Sequence, residues 1–165
     1  MTIYFYKVSD PYGCFSNFSP HPIDIADHTW ATVEHYYQSQ KFIGTEHESL
    51  ITTIRGVNTP EEAAALGRDR CRAVREDWEQ VKTEIMYQAV LTKFLTHPEI
   101  QAILLSTQDA LIVEDSPTDY YWGCGSQGTG QNQLGKILMQ VRQAIRLQLA
   151  RKQPEISMTK DEFLE

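Results

Sequence analysis

Residues 110–145 read ALIVEDSPTDYYWGCGSQGTGQNQLGKILMQVRQAI, and the order of elements within this stretch decides the fold class. Ala110 to Val113 is a short apolar run bounded by Asp109 and Glu114, the pattern of a buried strand. Leu134, Ile137, Leu138, Val141 and Ile145 then recur at three- and four-residue spacing behind the capping candidate Asn132, which predicts a long amphipathic helix. Between them lie Gly123, Gly125, Gly128, Gly130 and Gly135, preceded by three aromatics. Gly123-x-Gly125-x-x-Gly128 satisfies the dinucleotide fingerprint, but it does not directly follow the strand, and no second parallel strand with a ribose-binding acid follows the helix. A Rossmann site is therefore rejected. What survives is local: small residues let backbone amides approach a ligand, and the start of the final helix favours an anion such as phosphate. A plain glycine-rich connector, with Asn132 as a simple cap, is the competing reading.

Working outward, Ile3 to Tyr6 is β-branched and aromatic enough for a strand, and Pro22 to Ile25 reads as another before Asp27-His28 turns the chain. Thr32 caps a predicted helix that reaches Phe42 and stops at Gly44; a short helix is expected over His47 to Arg55. Thr59-Pro60-Glu61-Glu62 combines an N-cap, a first-turn proline and a capping-box glutamate. Asp77 to Leu95 carries a broad apolar face, and Pro98-Glu99 starts a further helix. The sum is α+β, a mostly helical single domain with a small β-sheet, over residues 1–150. Residues 151–165, charged and without apolar periodicity, are expected to form a flexible polar tail.

With 165 residues, 41% of them hydrophobic, the chain suits one core. Its net charge of -7 argues against a face that tracks extended duplex nucleic acid, leaving room for a small basic pocket. No apolar run approaches the ~20 residues of a membrane span and MTIYFYKVSD lacks the features of a secretory signal, so a cytoplasmic protein with no membrane partner is expected. Cys14, Cys71 and Cys124 have no CxxC spacing, and the five histidines form no HExxH or paired-ligand pattern, so neither a disulfide nor a catalytic metal is expected.

Chemistry-bearing residues stand in four places. Glu34, Gln38 and Lys41, at i, i+4 and i+7, share one helix face, which reads either as a solvated stripe or as half of a site. Ser16 and Asn17 form a small polar pair between Phe15 and Phe18. Arg68, Arg70, Arg72 and Arg75 could clamp a phosphate or be solvated surface. Trp78 and Trp122 could stack a base or fill the core.

In order, Phe15-Ser16-Asn17-Phe18, Trp30-Ala31-Thr32-Val33-Glu34-His35-Tyr36-Tyr37-Gln38 with Lys41-Phe42, Gly67-Arg68-Asp69-Arg70, Trp78-Glu79 with Lys82, Lys93-Phe94, Asp119-Tyr120-Tyr121-Trp122-Gly123 and Gly128-Thr129-Gly130-Gln131-Asn132-Gln133-Leu134-Gly135 resemble the NADAR family in its YbiA-like branch. Seven blocks in this order, over residues 1 to about 150, make the resemblance specific. It implies N-glycosidase chemistry on the early phosphorylated riboflavin intermediates, ribosylaminopyrimidine 5'-phosphates, with release of ribose 5-phosphate. Other branches remove ADP-ribose from guanine. The family's functional positions fall on Glu34, Trp78, Asp119 and Trp122, with Asn17, Lys41, Gly128 and Asn132 as further pocket candidates. The resulting expectation is a catalytic set of Glu34, Asp119 and Lys41. The expected substrate-binding set is Asn17, Phe15, Trp78, Trp122, Gly123, Gly128, Asn132 and Arg68. No metal or cofactor is required for hydrolysis.

Breaking a C–N glycosidic bond develops positive charge on the sugar and negative charge on the base, so a carboxylate near the sugar and a proton source near the base are needed. Glu34, in a first helical turn whose dipole favours the ionised form, is expected to stabilise the sugar cation and activate water. Asp119 would orient the ribose hydroxyls or share the base role, and Lys41 would steady Glu34, touch the sugar or attack the opened ribose. An ADP-ribosyl-guanine glycosidase and a non-catalytic nucleotide-binding module are the alternatives; the module would not need both carboxylates.

Overall fold

The computed structural model describes residues 1–152, so of the tail expected over 151–165 all but its first two residues lie outside the described residues. The long C-terminal helix continues through Lys152, past the boundary expected at 150.

Alternating burial in the strand β1 (Thr2–Phe5) sends Ile3 and Phe5 inward. β1 pairs in parallel with β4 (Leu111–Glu114), Ile3 opposite Ile112. All the helices but one lie in the crossover between these two strands, as a parallel pair requires. A second sheet is a hairpin of β2 (Ile23–Ile25) and β3 (His28–Trp30), joined by Ala26 and Asp27, both at positive φ. The sequence reading missed β3, because three residues led by an exposed histidine and threonine show no alternation to detect. The small sheet is thus two separate strand pairs.

Thr32 begins α1 (Val33–Gln40), its hydroxyl oxygen accepting from the His35 backbone N–H. α2 (Leu50–Gly56) starts later than the expected His47, and α3 (Pro60–Gly67) carries the complete Thr59/Glu62 capping box. Together these helices enclose a small core of Phe42, Ile54 and Ala63. The main core forms where α4 (Trp78–Thr96), α5 (Pro98–Ser106) and α6 (Gln133–Lys152) meet the strands, through Met86, Val90, Phe94, Leu104, Leu138 and Val141. Each large side chain buried there contributes about 1.5–3 kcal/mol.

Asn132 does not cap α6 with its side chain. At φ 51° its amide donates to the Ile112 carbonyl at 2.9 Å and accepts from the Glu114 N–H at 3.0 Å, so one side chain takes the place of a neighbouring strand along β4. Asn132→Ala is expected to lower stability by about 2–4 kcal/mol in urea unfolding, because it orphans two backbone groups and keeps a left-handed φ that alanine tolerates poorly. Thr59→Ala, which removes one cap, should lower it by about 1 kcal/mol.

Candidate active site

Three distant segments meet at a cleft of about 160 Å³: the strap Ser16–Phe18, the polar face of α1, and the end of β4 with the loop after it. Of the residues expected from sequence, Asn17, Glu34, Lys41, Arg68, Asp119 and Trp122 line it together. Ser16, Phe18, Tyr37, Gln38, Met86 and Glu114 complete its wall.

The stripe on α1 is not a solvated face. Glu34 is 4% exposed and Gln38 2%. Glu34 Oε1 accepts from the Gln38 amide at 2.7 Å, and the Arg68 guanidinium stands 3.8 Å from it at the mouth of the cleft. Burial raises the Glu34 carboxyl above its usual range; the Gln38 hydrogen bond, Arg68 and Lys41 oppose that shift, and Asp119 adds to it. Desolvation thus works against the helix dipole, while the Gln38 amide, Arg68 and Lys41 favour the ionised form. Gln38 can lie there because residue 67 is glycine: a Cβ on Gly67 would stand 2.0 Å from Gln38 Oε1.

Lys41 donates to the Gly67 carbonyl at 3.1 Å and lies 5.7 Å from the Tyr37 ring centroid and 5.9 Å from that of Trp78. Burial pulls its amine down to about 8, Glu34 opposing the shift. The Asp119 carboxylate accepts from the backbone N–H of Tyr121 at 2.9 Å and of Trp122 at 2.7 Å through one oxygen. That cradle locks the loop and sets Trp122 edge-on against Tyr37, with ring centroids 5.4 Å apart.

Glu114 is the functional candidate that sequence reasoning missed. In the sequence it marks the polar boundary of a strand, since a terminal glutamate in a short apolar run looks solvated. In the fold its backbone pairs with Phe5 on β1, while its carboxyl lines the cleft with Oε2 buried and without a partner. Burial, with Asp119 and Glu34 adding to it, pushes the Glu114 carboxyl up to about 8. Asn17 Oδ1 is a second buried acceptor without a partner on the same wall. A signal was present in the five-residue spacing of Glu114 and Asp119 across one turn, which brings two carboxyls to one strand end.

The remaining expected residues support the cleft from behind or lie away from its wall. Phe15 is buried in the core, 6.0 Å from Phe94 between ring centroids, and Trp78 underlies Tyr37 at 5.1 Å. Gly123 lets the loop close on the strand end, because a Cβ there would meet Ser116 at 2.8 Å and the carbonyls of Asp119 and Glu114 at 3.0 Å. Gly128, at φ 69°, has open space around its Cβ position, and Asn132 is engaged by β4. Nor is the start of α6 open to an anion. The N–H groups of Gly130, Gln131, Asn132, Gln133 and Leu134 all donate to carbonyls of residues 120–124, so the glycine-rich turn satisfies the helix end internally. Arg75 and Arg72 pair with Asp77 and Asp69, leaving Arg68 as the member of the arginine run that reaches the cleft. Among the described residues, no three His, Cys, Asp or Glu side chains are grouped to hold a metal ion, and no helix is long and apolar enough to cross a membrane.

The folded chain keeps the Glu114 proton up to about pH 8, whereas an unfolded glutamate releases it near ~4.3. The stability tied to that proton is present in full below the unfolded value and is lost as pH rises through about 8. Denaturant unfolding across this window should therefore show wild type losing stability relative to Glu114→Gln; a constant difference between the two would contradict the buried, protonated state.

The NADAR domain family matches residues 4–146. N-glycosidase Npun_R5314 of Nostoc punctiforme is 62% identical over 146 residues, covering 88% of this chain and 94% of that one. N-glycosidase YbiA of Escherichia coli is 44% identical over 146 residues, covering 88% and 89%. The chloroplastic riboflavin biosynthesis protein PYRR of Zea mays is 46% identical over 155 residues, which span 87% of this chain and 25% of that longer protein. The NMR structure of YbiA superposes with a TM-score of 0.85 at 42% identity, over 94% of this chain and 91% of YbiA. Matched by the family model over residues 4–146 and sharing its fold and sequence with these N-glycosidases, the chain is an N-glycosidase that belongs to the NADAR domain family.

Proposed function

We propose that the chain hydrolyses the C–N bond joining ribose 5-phosphate to an aminopyrimidine, as in the early phosphorylated intermediates of riboflavin biosynthesis, and releases ribose 5-phosphate. The observation that carries the chemistry is the convergence of Glu34, Glu114 and Asp119 on one small cleft with Lys41 and Arg68 at its side. The name of the PYRR relative supports the substrate class. A cytoplasmic location belongs to the same reading.

The three carboxyl groups divide the work according to their surroundings. Glu114, protonated at neutral pH, donates its proton to the departing nitrogen. Glu34, with Arg68 and Lys41 beside it, carries the negative charge that faces the developing sugar cation and takes the proton of the attacking water. Water adds to the anomeric carbon as the C–N bond breaks, giving ribose 5-phosphate and the free amine. Asp119 holds the loop that bears Trp122, leaving its second oxygen for a ribose hydroxyl. Trp122 forms an aromatic wall for the pyrimidine. The phosphate sits toward Arg68 at the mouth, where a guanidinium with 64% of its side chain exposed can reach it.

The test follows sugar release from the ribosylaminopyrimidine phosphates and from an ADP-ribosylated guanine oligonucleotide, with and without EDTA. Ribose 5-phosphate is expected from the pyrimidines, unaffected by EDTA; release only from the modified guanine would move the chemistry to the larger substrate. Glu34→Gln and Glu114→Gln should each lower kcat by at least ~10²-fold. Wild-type kcat/KM should decline as pH passes about 8, where Glu114 gives up its proton. Trp122→Ala should weaken substrate binding more than it lowers Tm; the opposite pattern would assign Trp122 to the core.

A further inference from the structure

Lys93 lies in the last turn of α4, 1% exposed, and the chemistry above does not use it. Its Nζ donates to the Ser16 carbonyl at 2.9 Å, across 77 residues of sequence. The same carbonyl accepts from the Ser19 N–H at 3.1 Å, and the Ser16 hydroxyl accepts from the Phe18 N–H at 3.2 Å. The next residue, Asn17, reaches α4 a second time through Met86 Sδ at 3.4 Å, and its carbonyl accepts from the Glu34 N–H at 3.1 Å. A chain of contacts thus runs from Lys93 through Ser16 and Asn17 to the first turn of α1, where Glu34 stands.

A lysine buried with one acceptor is poor value as a stabilising group. A methionine of similar reach would fill the same space without desolvating an amine. What the amine adds is direction, a hydrogen bond that fixes one carbonyl of the strap. We infer that Lys93 is a positioning residue, which holds the Ser16–Phe18 strap against α4 and so sets Asn17 and Glu34 in the cleft. This rests on the reading of the cleft as the substrate site, although the anchoring itself can be measured without substrate.

The titratable groups beside Lys93 are Cys14 on the short turn Gly13–Phe15 and His21 before β2; His97, which follows α4, and Glu99 of α5, 4.0 Å away, in turn face His21. Burial brings the Lys93 amine down to about 7, with Cys14 opposing the shift, and burial lowers His21 as well. Between about pH 7 and ~10.4 the unfolded chain therefore holds a proton that folded Lys93 has released, and stability rises with pH in that window.

The experiment compares wild type with Lys93→Met by residue-resolved amide hydrogen exchange, pH-dependent melting and steady-state kinetics. Exchange at the Glu34 and Ser19 amides is expected to quicken by roughly tenfold or more, as when a hydrogen bond from a buried amine is lost, while Ala89 in mid-α4 stays protected. Wild type should gain Tm relative to the variant between pH 7 and 10, and KM for the ribosylaminopyrimidine phosphate should rise more than kcat falls. Unchanged exchange at Glu34 and Ser19, or acceleration extending equally to Ala89, would overturn the inference. If wild type cleaves no substrate, the functional reading falls and the exchange data still decide the role of Lys93.

Discussion

A carboxylate withdrawn from water is the constraint around which this structure is arranged. Glu34 points inward from a helix of eight residues, six of which are buried, including His35, Gln38 and Ser39. Such a helix gains little from an apolar stripe, so its place depends on hydrogen bonds at both ends and on both sides. Thr32 caps it; the His35 ring lies between the Thr32 hydroxyl and the Val57 carbonyl; the Asn17 carbonyl takes the N–H of Glu34 itself. The cations nearest the carboxylate, Arg68 and Lys41, cap the C-terminal ends of α3 and α1, so the α1–α3 packing is also an electrostatic arrangement.

The opposite wall obeys the same rule from another direction. The turn from Ser116 to Gly123 folds back on the end of β4, held by the Asp119 carboxylate on two backbone N–H groups and by the Cys124 N–H donating to the Glu114 carbonyl at 2.9 Å. Closing the turn this tightly buries Glu114 and brings Asp119 within electrostatic reach of it, and both effects push Glu114 towards its neutral form. A neutral carboxylic acid can donate a hydrogen bond where a carboxylate can only accept, so neighbouring carboxyls acquire different chemistry from their surroundings. Oε2 of Glu114, Oδ1 of Asn17 and Oε1 of Gln38 are buried without a partner, on residues that line the cleft.

The glycine-rich segment looked like a ligand-binding loop and has another use. Its N–H groups turn inward onto residues 120–124, and Asn132 completes β4 with its side chain. The glycines permit backbone to lie on backbone, and a sequence cannot distinguish amides that approach a phosphate from amides that approach a carbonyl. The arginine run was similarly ambiguous: two members form ion pairs with aspartates two or three residues away, and Arg68 alone of the four lines the cleft.

The sequence by itself determined the long helices, because α4 and α6 repeat their apolar residues over five turns and the capping box of α3 is a local, four-residue device. Ordered motifs likewise pointed to the family, and with it to Glu34, Asn17, Lys41, Asp119 and Trp122 as neighbours, all five of which line one cleft. Tertiary structure alone decided which polar residues lose their water. The stripe on α1 has the same spacing whether solvated or buried, Glu114 looks like a strand end until the loop closes over it, and Lys93 looks like a surface lysine until the strap crosses it. Protonation state and reactivity follow from desolvation and from charges brought together across the fold, and neither is a property of local sequence.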